Sequence, residues 1–219
     1  MVLLVASALA ADPVAIHAVL DDPSGWSLHA AENDDGVTVY TKHINDLGLA
    51  AFKGVLTLPS GVSADDVYAL VSDIENHDRH SPHLHESTLI EQEGNQDWFY
   101  EVSKSPAPLI AERYWFNTTV VEKDIGGVDG HHKRAWSSFD AKTKYPDVLK
   151  AVEGKYPDAV YVDVTYGAWE WIPQPDGTTV MIYQVVSHPG GNVPGGLYSQ
   201  ISGKTLPDNM MTFVNAAKP

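Results

Sequence analysis

Residues 187–196 read Ser187-His188-Pro189-Gly190-Gly191-Asn192-Val193-Pro194-Gly195-Gly196, a segment too rich in glycine and proline to continue a strand or a helix. Before it, residues 37–187 hold successive β-branched and alternating runs that predict strands. After it, apolar residues spaced by about 3.6 predict a helix from Leu197 to Lys218: Leu197, Ile201, Leu206, Met210, Phe213 and Val214. A single helix over a curved antiparallel sheet can enclose an apolar space. The segment therefore predicts an internal cavity for a hydrophobic ligand.

Short turns separate the predicted strands, so we expect an antiparallel sheet. The runs cover residues 37–42, 51–58, 87–93, 96–102, 112–122, 133–139, 160–172 and 178–186. A helix is expected after Ser63, which can cap it, and Pro207 is expected to kink the final helix or to divide it into two. No linker divides the chain. The element order predicts one α+β domain over residues 12–219, with the curved sheet wrapped around the long C-terminal helix.

Composition excludes several classes of function. The 219 residues carry 29 acidic and 14 basic side chains, a net charge of −15. Such a charge repels the phosphates of nucleic acid and opposes steady residence on an anionic membrane. The chain has no cysteine, which excludes disulfides, thiolate catalysis and cysteine-ligated zinc.

The N-terminal residues 1–11 resemble the remnant of a signal peptide. An apolar run ends in Ala8-Leu9-Ala10, a small-x-small cleavage pattern, although no lysine or arginine precedes it. We therefore expect a periplasmic or secreted protein. The alternative is that this run begins a first helix that continues to Leu20.

Four stretches, taken in order, carry a family likeness: Asp35–Tyr40, Ser105–Pro108 with Glu112–Phe116, Tyr166–Pro173, and His188–Gly191 with the later step Leu206-Pro207. They are similar to the opening strand, the proline loop and its strand, the Gly-x-Trp-x-Ile-x-Pro strand, and the hinge and last helix of the StAR-related lipid-transfer (START) domain. This domain belongs to the helix-grip (Bet v 1-like) superfamily. The resemblance spans roughly residues 26–218.

The resemblance implies a helix-grip fold with an internal hydrophobic cavity for one lipid, often a sterol or a phospholipid. It also implies a gate formed by the final helix and its neighbouring loops. In sterol-binding members a buried acidic residue and an arginine on adjacent strands accompany the cavity. Glu101 lies close to the acidic position, whereas the arginine position falls near Thr119, so we expect this ion pair to be broken here.

Strand alternation and the resemblance together select the candidate ligand-binding residues. They are Phe99, Glu101, Arg113, Trp115, Asn117 and Thr119 on strands, and Leu197, Ile201, Met210, Phe213 and Val214 on the final helix. An inward Glu101 could bond a ligand hydroxyl, and Asn117 or Thr119 could supply the contact of the missing arginine. A solvated Glu101 and ordinary mixed packing remain the alternatives.

Catalytic and metal-binding signatures are weak. The histidines at positions 77, 80, 83 and 85 form the densest cluster, but Pro82 breaks the segment and no His-Glu-x-x-His pattern appears. No Gly-x-Ser-x-Gly motif or phosphate-binding loop is present. We expect neither cofactor nor metal.

These observations predict a non-enzymatic, monomeric lipid carrier that contacts membranes transiently. The alternative is an enzyme of the same superfamily, cyclase or hydrolase-like, that uses Glu101 or a cavity histidine as acid or base. A third hypothesis is a structural or metal-buffering protein that uses the histidine cluster.

Overall fold

One large sheet dominates the computed structural model, which describes residues 12–105, 110–191 and 195–219, with the backbone alone over 195–202. In these ranges the strands are β1 Ser27–Ala30, β2 Thr38–Ile44, β3 Leu49–Thr57, β4 Leu84–Glu93, β5 Gln96–Ser103, β6 Arg113–Glu122, β7 His132–Ser138, β8 Val160–Val162, β9 Thr165–Pro173 and β10 Thr179–Ser187. The helices are α1 Pro13–Asp21, α2 Ala64–Ser72, α3 His77–His80, α4 Ala141–Lys144, α5 Pro146–Lys155 and α6 Gly195–Ala216. Among these described helices, none is both long enough and apolar enough to span a membrane.

The strands follow the spatial order β1-β2-β3-β10-β9-β7-β6-β5-β4, and every neighbouring pair in this order is antiparallel. The first three strands therefore lie beside the last hairpin. With α6 across it, this sheet confirms the predicted α+β helix-grip fold.

Two predicted elements differ from the structure. The predicted strand over residues 160–172 is two strands, because β8 pairs parallel with β6 whereas β9 pairs antiparallel with β7. The final helix runs unbroken from Gly195 to Ala216 through Pro207, so the predicted division into two helices is wrong. The cap of α2 is as expected, since the backbone N–H of Asp66 donates to Ser63 Oγ at 3.2 Å.

The grip of α6 on the sheet is centred on Gly54 in β3. A Cβ atom at this position would lie 2.4 Å from both Leu206 Cδ2 and Met210 Sδ. Only glycine lets the helix approach so closely. Leu206 and Met210, on either side of Pro207, are 1% and 0% exposed, so packing holds the helix together where Pro207 removes a backbone hydrogen bond.

The opposite face of the sheet is covered at two places. Ile16 and Leu20 of α1 pack against Ile44, Tyr166 and Val186. At the other end of the sheet, α4 and α5 cover an aromatic cluster that includes Tyr100, Tyr114 and Phe116. Burial, reinforced by the nearby Glu153 carboxylate, raises the pKa of Tyr114 to about 12. The helices α1, α4 and α5 therefore cover one face of the sheet, and the candidate site lies on the other face, beneath α6.

The close approach at Gly54 predicts that Gly54→Ala destabilises the protein by about 1–3 kcal/mol, the usual cost of forcing a methyl group into a packed core. Gly154, near the end of α5, has no atom within 4 Å of an added Cβ and serves as the matched control. Gly154→Ala should stabilise the protein by up to about 1 kcal/mol through helix propensity. Urea unfolding measures both changes in stability. Equal effects of the two substitutions would contradict the close approach of Leu206 and Met210 to Gly54.

Candidate functional site

A cavity of about 330 Å³ lies between α6 and the sheet, bounded by the segment from α2 to β4. Its wall combines apolar and aromatic side chains with many polar ones. The apolar and aromatic residues are Val71, Ile74, Leu84, Phe99, Trp115, Trp136, Trp169, Tyr183, Val185 and Phe213. The polar and charged residues are His77, Ser81, His83, Glu101, Ser103, Lys104, Arg113, Asn117, Thr119, Arg134, Thr165, Ser187, Thr205, Asn209 and Thr212.

The structure brings all six candidate strand residues together on this wall: Phe99, Glu101, Arg113, Trp115, Asn117 and Thr119. They alternate along β5 and β6, so every second side chain faces the cavity. Asn117 and Thr119 lie deepest, at 2% and 3% exposure. Arg113 lies farther out and donates through Nε to the Pro189 carbonyl at 3.0 Å, which ties β6 to the segment that precedes α6. Ligand contact by these residues stays a prediction.

The helix presents a different face to the cavity than we expected. The cavity wall includes four residues of the helix: Thr205, Asn209, Thr212 and Phe213. Met210 and Val214 are instead buried in the core cluster that includes residues of β2 and β3. The most apolar face of the helix therefore packs against the sheet. The adjacent face, which is more polar, lines the cavity. The side chains of Leu197 and Ile201 lie outside the described residues.

Glu101 faces inward, and both oxygens of its carboxylate are hydrogen-bonded. Oε1 lies 2.8 Å from His77 Nδ1 and 3.3 Å from Ser87 Oγ, and Oε2 accepts from Trp115 Nε1 at 2.9 Å. The other ring nitrogen of His77 donates to the Val71 carbonyl at 3.0 Å, because a carbonyl can only accept. The ring of His77 also contacts Phe213 of α6. This network fastens the segment after α2 to both the sheet and the last helix.

Asp97 and Arg134 form a buried ion pair, at positions other than those expected from the sequence. Asp97 Oδ2 lies 2.5 Å from Arg134 Nη2, and both side chains are 6% exposed. Thr119 Oγ1 donates to the same carboxylate oxygen at 3.1 Å, and Gln92 Nε2 donates to Oδ1 at 2.7 Å. Glu101 and Thr119 do not form such a pair, so the expectation for these two positions stands. Asp97 and Arg134 form a different pair, whose strands β5 and β7 lie on either side of β6. Strand alternation could have found Asp97, which shares a face with Phe99 and Glu101.

Stacked aromatic rings form one side of the cavity. Trp136 stacks on Tyr183, with ring centroids 5.6 Å apart, and Tyr183 stacks on Trp169 at 4.1 Å. Gly167 makes room for this arrangement, since a Cβ there would lie 2.2 Å from Trp136 Cζ2. The rings supply a large, stiff apolar surface to any guest.

The histidine cluster does not converge on one point. His77 binds Glu101, while His85 Nε2 lies 2.5 Å from Glu112 Oε1. Within residues 12–105, 110–191 and 195–219, no group of three or more histidine, aspartate or glutamate side chains is arranged to hold a metal ion. These contacts fasten local segments and give no support to the metal-buffering hypothesis.

Comparison with known proteins places this geometry in context. A family model described as polyketide cyclase / dehydrase and lipid transport matches residues 60–214. An uncharacterized protein of Pseudomonas aeruginosa is 27% identical over 184 residues, which cover 84% of this chain and 81% of that protein.

Solved structures share the fold. Human STARD10 matches with a TM-score of 0.74 and 20% identity over 94% of this chain and 78% of that one. A STAR-related lipid transfer protein from Xanthomonas axonopodis matches with a TM-score of 0.65 and 22% identity, over 89% and 97% of the two chains. The lipid transfer and protein localization domain of human StarD13 gives a TM-score of 0.69 and 13% identity, over 94% and 95%. At these identities the likeness establishes the fold alone.

The buried pair predicts a strong and reversible effect on stability. Asp97→Leu and Arg134→Met should each destabilise the protein by about 3–5 kcal/mol, because each leaves one buried charge without its counter-charge. The double variant Asp97→Leu with Arg134→Met removes both charges and should recover most of this loss. Chemical unfolding of the wild type, the single variants and the double variant measures the coupling, and additive losses would contradict it.

Proposed function

Because this chain belongs to the polyketide cyclase / dehydrase and lipid transport family and has the fold of START domains, we propose that it binds one lipid in the cavity and carries it between membranes. The proposed cargo is of the sterol or phospholipid class. The proposal includes a monomeric carrier outside the cytoplasm that contacts membranes only transiently.

The cavity itself is the observation that carries this proposal. Keeping about 330 Å³ empty would cost about 8 kcal/mol by the scaling measured for engineered cavities, a large part of the stability of a domain. The protein in solution therefore fills it with water or with a guest. Its aromatic side, formed by Trp136, Tyr183 and Trp169, favours an apolar guest over water.

The proposed entry route for the lipid is between α6 and the sheet, which bound the cavity. An outward movement of α6 would widen this route, and this movement is the proposed gate.

Contacts on the cavity side of α6 suit such a movement. Thr205, Asn209 and Thr212 present short polar side chains there, and Phe213 makes ring contacts with His77 and Trp169. The firm contact at Gly54 lies on another face of the helix, so α6 can tilt about it while the Phe213 side opens. A membrane surface would favour the open form by accepting the exposed apolar side chains.

Turnover is the second function that the family description allows, since it includes cyclases and dehydrases. An enzyme would need an acid or base free to exchange a proton with the ligand. Glu101 and His77 are engaged with each other and with Trp115, Ser87 and Val71. Because both ring nitrogens of His77 are engaged, this arrangement favours binding without chemistry.

Filling the cavity should weaken cargo binding. Val185 of β10 lines the wall, and Val185→Trp places a large ring inside the space. Overpacking penalties predict binding weaker by about ten- to a hundredfold. Native mass spectrometry of the purified protein reports co-purified lipid, and transfer of a fluorescent sterol or phospholipid between vesicles reports carriage.

Ile182→Trp is the matched control, because Ile182 points to the opposite face of the same strand. It should leave both co-purified lipid and transfer close to wild type. Absence of lipid from the wild-type protein, together with no transfer of either lipid, would exclude the carrier function.

A further inference from the structure

The contacts of His77 require one proton more than a neutral histidine and a carboxylate contain. His77 Nε2 lies 3.0 Å from the Val71 carbonyl, which can only accept, so this nitrogen carries a hydrogen. His77 Nδ1 lies 2.8 Å from Glu101 Oε1. A bond between these two atoms needs a second hydrogen, either on an imidazolium ring or on a protonated carboxyl group. Both forms contain the same number of protons, one more than a neutral ring beside a carboxylate.

This pair joins three parts of the cavity wall. Val71 lies in the last turn of α2, Glu101 belongs to β5, and the ring of His77 contacts Phe213 of α6 with ring centroids 5.3 Å apart. The side chains of His77 and Glu101 are 12% and 13% exposed. They lie between the segment after α2, the sheet and the last helix, so loss of their bond loosens all three at the proposed gate.

Glu101 is the charged partner of His77. In residues 12–105, 110–191 and 195–219, no other carboxylate lies within 4 Å of a ring nitrogen of His77. Asp97, on the same face of β5, is paired with Arg134. Ser87 of β4 and the residues of α6 on this wall are uncharged. The remaining charged or titratable residues nearby are His83, Lys104 and Arg113 on the wall, and Glu75, Asp78, Arg79 and His80 on the segment that contains His77.

Opening of the gate changes the number of bound protons. An imidazole in water has a pKa of about 6.5, so a histidine ring released into solvent is mostly neutral above about pH 7. Glu101 then keeps its bonds from Trp115 and Ser87 as a carboxylate. The closed form therefore holds one proton more than the open form. Below about pH 6.5 both forms hold this proton and closure has its full stability, which falls as the pH rises.

We propose that His77 is a pH-sensitive latch, which holds α6 and the segment after α2 against the sheet while its bond with Glu101 contains a proton. A rise in pH removes the proton, breaks one of the two hydrogen bonds of the ring and lets the cavity open. This inference rests on the proposed function and adds a control of the gate. The carrier retains its cargo in acidic surroundings and exchanges it faster in neutral or alkaline ones.

Transfer of a fluorescent sterol or phospholipid between phosphatidylcholine vesicles, measured as a function of pH, tests the latch. Phosphatidylcholine stays zwitterionic over this range, so the vesicle surface does not contribute to the pH dependence. The transfer rate of the wild-type protein should rise about tenfold from about pH 6 to about pH 8, and one proton permits no more than about tenfold for each pH unit. A rate independent of pH would overturn the inference and leave the carrier function standing.

Glu101→Gln should keep the latch closed without the proton. The N–H of its carboxamide can donate to Nδ1 of a neutral His77 ring, while its oxygen still accepts from Trp115 Nε1 and Nε2 of the ring still donates to Val71. The slow rate should therefore persist, and the ratio of the rates at about pH 8 and about pH 6 should fall to about one. Use of this ratio removes any change in cargo affinity. A ratio equal to that of the wild type would overturn the inference.

His77→Gln removes the titrating ring, so its ratio of rates should also fall to about one. His85→Gln is the matched control, because His85 pairs with Glu112 but lies outside the cavity wall. It should keep the wild-type ratio. If His77→Gln keeps the wild-type pH dependence, or if His85→Gln removes it, the dependence arises elsewhere and the latch is excluded.

A measurement on the wild-type protein needs neither a variant nor a cargo. In nuclear magnetic resonance spectra, the nitrogen signals of the His77 ring and the carboxyl carbon signal of Glu101 together give the number of protons on the pair. At about pH 7 they should show one proton more than a neutral ring beside a carboxylate. A neutral ring beside an ionised Glu101 would overturn the inference. If lipid transfer is absent at every pH, the carrier function fails, and this proton count still decides whether the pair is a latch.

Discussion

The contact of Leu206 and Met210 with Gly54 is the constraint on which the rest of the structure depends. It presses α6 against β2 and β3, where no side chain intervenes. The helix is thereby held to one part of the sheet, and the space between its other face and strands β5, β6, β7, β9 and β10 is left as the cavity. A larger residue at position 54 would lift the helix and change both the volume and the closure of that space. The position of the cavity therefore depends on glycine at position 54, which has no Cβ atom.

Electrostatics then shape what the cavity can accept. A charged group in a space of low dielectric constant is tolerated only when it is paired and hydrogen-bonded. Asp97 is paired with Arg134 across the intervening strand, and Glu101 is hydrogen-bonded to His77, Ser87 and Trp115. The protein therefore supplies the partners of both buried carboxylates itself.

Strand alternation predicted much of the wall correctly. Phe99, Glu101, Arg113, Trp115, Asn117 and Thr119 lie on it because a period of two leaves no freedom once one residue of a strand is oriented. The face of α6 that lines the cavity could not be predicted in the same way. Several faces of this helix are apolar or mixed, and periodicity does not indicate which of them packs against the sheet. Met210 and Val214 were expected to line the cavity but lie in the core. Thr205, Asn209 and Thr212 line the cavity and were not predicted, because only apolar residues of the helix were selected.

The sequence by itself determined the element order, the antiparallel sheet and the final helix after its glycine-rich hinge, since these follow from local periodicity and turn chemistry. Alternation determined which residues of β5 and β6 share a face, and the family resemblance selected the face that lines the cavity. Only the tertiary structure decided that Asp97 meets Arg134, that Glu101 bonds to His77, Ser87 and Trp115, and that Asn117 Oδ1 has no partner in the described part of the chain. These outcomes depend on which side chains from strands distant in sequence come within about 3 Å of each other, the range of a hydrogen bond. Local pattern carries no information about such distances, because register and helix rotation are set by packing.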